Sequence, residues 1–303
     1  MAHATTAGKK ENTNTMNLRE YDISKPFSAA LVSSERITDP EAPAEVRHLV
    51  FEMAPRQKFE FTEGQSLGVI VPGPHDFGQP NHMRLYSSAS PRCGEGGRAA
   101  RFSLCVRRCF YIDDVNGERY PGKASNYLTD LVPGAVVDFT GPYGSAFTMP
   151  DDENANMLMI GVGTGIAPFR AFTRHIFEER HGWKGKVRLF FGANTGMELL
   201  YRNQYNQDLG LYYDYATFKA FETVGFKPGV ESQPEMDRLL EDNAAEVWEM
   251  VNDPKTHVYL AGLVDVENKF FKAMCKTAGS EEKWRSTLKK LTAEGRYAEL
   301  LYE

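Results

Sequence analysis

The run Met157-Leu158-Met159-Ile160, followed at once by Gly161-Val162-Gly163-Thr164-Gly165 and the helical stretch Ile166 to Arg180, constrains this chain most. A strand that is apolar without alternation is buried on both faces, and such strands belong to parallel sheets covered by helices. The glycines permit a tight strand-to-helix turn and let backbone approach whatever lies above it. Val187 to Phe191, Leu211 to Phe218 and His257 to Ala261 read as further strands. Glu198 to Asp208, Pro234 to Val251 and Val266 to Thr277 read as helices. Strand–helix alternation of this kind predicts a doubly wound parallel sheet.

Before about residue 150 the period is different. Val46 to Phe51, Met83 to Ala89, Arg101 to Arg108 and Ala135 to Thr140 are short strands. Turn residues part them at Pro72-Gly73-Pro74, Gly94 to Gly97 and Pro133-Gly134, which predicts an antiparallel β-barrel or sandwich. One helical turn, Ser125 to Leu131, interrupts the pattern. The chain of 303 residues thus divides into a disordered leader (1–20), a barrel domain (21–152) and an α/β domain (153–303).

The opening run, Met1 to Asn17, is polar and lacks the apolar segment of a secretory signal. With only four cysteines, and no Cys-x-x-Cys, a reducing compartment is expected. The cytoplasm fits, as does an organelle reached through a leader since trimmed. Those thiols do not offer an iron–sulfur site, and no metal site is expected. No apolar stretch reaches the roughly 18 residues of a membrane span. A net charge of −6 argues against general nucleic-acid binding.

The glycine turn has the context of a nucleotide site, because a helix N-terminus behind a glycine turn presents open amide donors to phosphate. It does not complete Gly-x-Gly-x-x-Gly: Ile166 stands at the sixth position from Gly161, and Pro168 at the sixth from Gly163. The Lys-Ser/Thr ending of a P-loop is missing as well. In the first half, Arg84-Leu85-Tyr86-Ser87 sets a cation, a ring and a hydroxyl on one strand. Alternation puts Arg84 and Tyr86 on one face and Ser87 on the other, so all three converge only with a bulge or twist.

Five segments occur in order: Arg84 to Ser90 (RLYSSAS), Cys105 to Arg108, Gly122 to Leu128 (GKASNYL), Gly161 to Phe172 (GVGTGIAPFRAF) and Leu189 to Tyr201 (LFFGANTGMELLY). Together they resemble the plastid-type ferredoxin–NADP⁺ reductase family, over nearly the whole chain. The resemblance implies a barrel binding FAD and an α/β domain binding NADP(H), with NAD(H) also open. It places Arg84, with Leu85, on the FAD pyrophosphate, and Tyr86 against one flavin face. Ser87 would stand beside flavin N5 and the nicotinamide. Cys105, Val106 and Arg107 would line FAD, with Arg107 also reaching the nicotinamide nucleotide. Tyr111 would stack on the adenine, and Gly122, Lys123, Ala124 and Ser125 would wrap the phosphates. Gly163, Thr164, Gly165, Ala193, Asn194, Gly262 and Leu263 would flank the dinucleotide, Thr164 touching both cofactors. Tyr302 would cover the other flavin face, so that Ser87 and Tyr302 are the expected catalytic pair.

The chain departs from that family in three places. Phe218-Lys219 stands where a Ser-Arg pair grips the 2′-phosphate, leaving Lys219 and Lys227 as the expected cations. Ala261 replaces a cysteine beside the nicotinamide. Glu303 follows Tyr302, and Leu300 occupies a carboxylate position that Glu299 or Glu303 could supply. The implied activity is electron transfer between NADPH and a separate ferredoxin or flavodoxin. Arg36, Arg47, Arg56, Lys123 and Lys290 are candidates for a basic patch that receives it. The rival readings are the reductase component of an oxygenase system and a non-catalytic flavoprotein.

Overall fold

A computed structural model describes residues 24–55, 59–73, 80–113, 117–144, 147–212, 217–225 and 236–302. The leader, Arg56, Lys227 and Glu303 lie outside the described residues.

The first half forms strands β1 (Phe27–Arg36), β2 (Val46–Met53), β3 (Ser66–Pro72), β4 (Asn81–Ser87), β5 (Arg101–Arg107) and β8 (Val136–Tyr143) in the order β4-β3-β8-β1-β2-β5. All five pairings are antiparallel. The two outer strands meet through a bridge between Ser88 and Leu104, and Ala89 N donates to Ser103 O at 2.9 Å. That contact closes the sheet into a barrel and removes its open edges. Alternation fills the interior: Leu49 and Phe51 of β2, Phe102 and Leu104 of β5, and Val137 and Phe139 of β8 are buried together. Phe102 and Phe139 pack edge-to-face with centroids 5.0 Å apart. A hairpin of β6 (Phe110–Ile112) and β7 (Arg119–Pro121) follows, then helix α1 (Lys123–Asp130).

The second half places β9 (Asn156–Val162), β10 (Val187–Ala193), β11 (Phe218–Val224), β12 (Thr256–Leu263) and β13 (Tyr297–Tyr302) in the order β11-β10-β9-β12-β13. Every pairing is parallel. Met157 and Met159 face α2 (Ile166–Arg174) and the barrel side. Leu158 and Ile160 face α3 (Met236–Asp242), α4 (Ala244–Asn252), α5 (Asp265–Ala278) and α6 (Glu281–Ala293). The apolar run around residue 158 is therefore buried on both faces.

Several expected elements differ. The stretch from Glu198 to Asp208 is not a helix. A short 3₁₀ turn, Gly196–Glu198, ends at the first residue of that stretch, and Tyr201 then adopts a left-handed φ of 60°, which no continuing helix tolerates. Of the expected strand Leu211 to Phe218, Leu211 is 73% exposed within a 3₁₀ turn, residues 213–216 lie outside the described residues, and β11 runs from Phe218. The helix after Ile166 widens into a π turn over His175–Glu179. Asn243 parts α3 from α4 and donates to Leu239 O at 2.9 Å. Several elements carry no expectation from the sequence: β1, β3 and the β6–β7 hairpin in the first half, and in the second half β13 and α6, whose N-cap Ser280 accepts from Lys283 N at 3.2 Å.

Candidate active site

In this strand order the chain crosses from one side of β9 to the other between β11 and β12, so the crevice for a ligand opens at the carboxyl ends of β9 and β12. Two glycines shape it. Gly165 lies so near β12 that a Cβ there would stand 2.1 Å from Ala261 O. Gly262 has φ +142°, and a Cβ there would stand 3.0 Å from Val162 O. Gly163 is also left-handed, at φ +58°. Thr164 Oγ1 lies 2.7 Å from the hydroxyl of Tyr302, at the carboxyl end of the adjacent β13. On the other side, Ala193 ends β10, with Asn194 next. Gly163, Thr164, Gly165, Ala193, Asn194, Gly262 and Leu263 are thus all brought to one edge. Thr195 Oγ1, on the residue after Asn194, is buried with no hydrogen-bond partner among the described residues.

Lys219 is not at that edge. It is the second residue of β11, opposite Arg188, five residues before Val224. At roughly 3.3 Å per residue it stands about 16 Å from the carboxyl end. The expected grip of Lys219 on a 2′-phosphate does not fit this position.

On the barrel, β4 carries Arg84, Leu85, Tyr86 and Ser87. Its register with β3 runs without a shift from Ser66↔Ser87 to Pro72↔Asn81. No bulge turns Ser87 onto the Tyr86 face; Ser87 ends the strand with Oγ 3.4 Å from Ser66 Oγ. Arg84 is exposed and makes no ion pair among the described residues. Burial pushes the Tyr86 phenol well above its usual value, with the Cys109 thiol adding and Arg84 opposing. Burial likewise pushes Tyr302 up to about 12, against its bond to Thr164, and Cys105, Cys109 and Arg107 also act on it. Cys109 is thus within electrostatic reach of both Tyr86 of the barrel and Tyr302 of the α/β half.

The rest of the barrel site lies along β5 and α1. Cys105 and Val106 are buried while Arg107 is exposed. Tyr111 is 54% exposed, stacked on Tyr120 with centroids 5.4 Å apart, an open ring face suited to a flat base. Arg119 lies over Phe110 at 3.7 Å. Gly122 caps α1 without a side-chain hydrogen bond. Ser125 Oγ accepts from Cys109 N at 3.1 Å and so ties the helix to the end of β5. An exposed ring, exposed Arg84 and Arg107, and an open helix start suit a dinucleotide with a flat base and a pyrophosphate. Of the basic-patch candidates, Arg36 and Arg47 face each other across β1 and β2. Arg36 donates to the carbonyls of Thr38 and Asp39, and Arg47 pairs with Glu45. Lys123 and Lys290 are exposed on α1 and α6.

Other polar residues at the joint between the halves carried no expectation. Arg170, 1% exposed, meets Glu95, Asp208 and Ala89 O. Arg174 also pairs with Glu95. Burial would raise the Glu95 carboxyl, but Arg170 holds it well below the usual carboxylate range. Tyr201 OH lies 3.0 Å from His48 Nδ1. Burial drives His48 down to about 3, so it is neutral. Glu198 is raised by burial, with Arg107 and Asn194 opposing. Arg170 sits inside the quoted GVGTGIAPFRAF segment; Glu95 and Asp208 had no local motif to mark them.

Glu63, His175 and Glu179 cluster nearby in a spacing that a cation could use. Arg180 Nε points at His175 Nε2 at 3.0 Å, which leaves the proton on Nδ1, 3.0 Å from Glu179 Oε1 and 3.4 Å from Glu63 Oε1. Arg92 already covers both oxygens of Glu63. Arg92 and Arg180 thus hold Glu63 and one side of His175, while His175 Nδ1 and Glu179 Oε1 are buried without a hydrogen bond among the described residues.

Residues 32–147 match the oxidoreductase FAD-binding domain family, and residues 159–271 match the oxidoreductase NAD-binding domain family. With the two-sided site above, they define a two-domain, FAD-dependent nicotinamide-nucleotide oxidoreductase. The chain is 36% identical over 301 residues to the cyanelle ferredoxin–NADP reductase of Cyanophora paradoxa, covering 95% of this chain and 79% of that one. It is also 36% identical over 278 residues to the chloroplast ferredoxin–NADP reductase of Spinacia oleracea, covering 90% and 73%. It belongs to the ferredoxin–NADP⁺ reductase family. A solved point mutant of the Plasmodium falciparum ferredoxin–NADP⁺ reductase, with 2′P-AMP, shares the fold at a TM-score of 0.71 and 22% identity, covering 95% of this chain and all of that one.

Proposed function

We propose that this chain moves electrons between NADPH and a one-electron carrier, a ferredoxin or flavodoxin, through FAD. The observation that carries the reading is the Thr164–Tyr302 contact of 2.7 Å. It joins the glycine turn to a ring within electrostatic reach of Cys105, Arg107 and Cys109 of the barrel, which supports two cofactor sites set side by side. When bound, FAD supplies a ring that accepts a hydride and releases electrons singly.

The chain's own residues bind and orient. Arg84 and Arg107 neutralise phosphate, and the α1 start at Gly122 to Ser125 offers amides. Tyr111 would hold the adenine, Tyr86 and Tyr302 would hold the flavin ring and keep water away from it, and Ser87 would bring a hydroxyl at the strand end. Cys105 is pushed up to about 12 by burial, so it lines the pocket as a neutral thiol. On the other side, Gly163 to Gly165, Ala193, Asn194, Gly262 and Leu263 hold the nicotinamide nucleotide. With Ala261 in place of a thiol, positioning supplies the rate. A barrel domain over 21–152 and a nucleotide domain over 153–303 accord with the two sheets.

NADH as donor is the second reading, and the position of Lys219 favours it, since this cation is remote from the carboxyl edge. The ratio of kcat/KM for the two nucleotides decides between them. All four cysteines are free, in keeping with a reducing compartment such as the cytoplasm; fractionation of the source cells tests that placement. No helix among the described residues is long and apolar enough to cross a membrane. The reading as a whole is tested by anaerobic mixing of the FAD-loaded protein with each nucleotide, where bleaching of the flavin band is expected.

A further inference from the structure

Arg170 has five N–H donors, and every one is used. Nε and one Nη2 proton go to Asp208 Oδ2; the other Nη2 proton goes to Glu95 Oε1 at 3.0 Å. The two Nη1 protons go to Ala89 O at 2.6 Å and Glu95 Oε2 at 3.0 Å. Ala89 and Glu95 belong to the barrel, whereas Arg170 and Asp208 belong to the α/β half. Ala89 comes two residues after Ser87, and Arg170 comes five residues after Gly165 on the helix that the glycine turn starts. Glu95 is itself fixed: its Oε2 accepts from Ser103 Oγ at 2.8 Å, and Arg174 takes its other oxygen. The guanidinium is therefore a buried rivet between the end of the ring-bearing strand and the start of the nucleotide-binding helix.

We propose that Arg170, held by Glu95, is a positioning residue that sets the approach of the nicotinamide to the flavin across the domain joint. The inference rests on the hydride-transfer reading above. A planar fork with five donors can bridge three acceptors on two domains at once; an ammonium with three rotatable donors cannot hold the same angle. Since an error of about 1 Å in approach can cost about 100-fold in rate, the joint need slip only slightly to matter.

The test compares FAD-loaded wild type with Arg170→Lys and Glu95→Gln, the second preserving size at the joint should the first fold poorly. Three quantities are read: FAD bound per chain, the limiting rate and KM of flavin reduction, and the change in the flavin absorption band on adding NADP⁺ or NAD⁺. The expected result is full FAD content and a KM within about 2-fold, with a limiting rate lower by about 10- to 100-fold and a weakened band change. Lysine does not rescue, although it keeps the charge. Wild-type rate and wild-type band change in both variants overturn the inference, as does a rate loss that only tracks lost FAD. If wild type is reduced by neither nucleotide, the functional reading fails. The band change, which needs no reduction, then decides the positioning role by itself.

Discussion

Gly165 shows how little room a single position leaves. A methyl there would meet Ala261 O at 2.1 Å, and both partners are backbone in packed elements, so neither can yield cheaply. Gly165→Ala is expected to lower unfolding stability by about 3 kcal/mol or more, measured as the shift in urea midpoint at constant m-value. The glycine itself was readable in the sequence; its reason was not. The string suggests backbone close to phosphate, whereas the structure shows this glycine close to the neighbouring strand. Arg170 was printed in the same string and drew no assignment, because its partners Glu95 and Asp208 lie 75 and 38 residues away. Lys219 failed for a related reason. Its chemistry suits phosphate, but whether a residue stands at the amino or carboxyl end of a strand depends on where the strand starts, and Phe218 starts it.

Among the elements, β13 decides what the C-terminal carboxylates can do. Ala298 and Leu300 pack on the barrel-side cluster, and Tyr297 and Leu301 pack on the opposite one. Alternation therefore puts Glu299 away from Tyr302, beside Tyr297 and Glu267. Burial raises the Glu299 carboxyl, the Tyr297 hydroxyl opposes that, and Glu267 adds to it. Glu299 cannot take over the carboxylate place that Leu300 vacates. Glu299→Gln is expected to leave the limiting rate of flavin reduction within about 2-fold, while a drop of tenfold or more would refute this orientation. The central strands β9, β10 and β12 were readable because long apolar runs have few alternatives. The segment 198–212 was not, since its apolar residues pack around the left-handed Tyr201 instead of along a regular face.

At the scale of the whole molecule, the two halves meet through buried ionic groups, and this makes the joint sensitive to acid. His48 is held neutral by burial, at about 3 against an ordinary value near 6.5. As pH falls between those values, the unfolded chain binds a proton that the folded chain refuses, and stability declines by up to about 1.4 kcal/mol per pH unit. Glu95 adds a second loss only below about pH 4.5, where the unfolded carboxyl protonates while Arg170 keeps the folded one charged. Denaturation midpoints at pH 7, 6 and 5 should converge for His48→Gln relative to wild type; an unchanged slope would contradict the assignment. The two-domain plan was visible in the change of period near residue 150, and the joint was not, because it is built from contacts between distant segments. What the plan is for is tested most directly by anaerobic stopped-flow of the FAD-loaded protein. The flavin band should bleach on mixing with NADPH, or with NADH, and recover when oxidised ferredoxin is added. A flavin that neither nucleotide bleaches would contradict the assigned function.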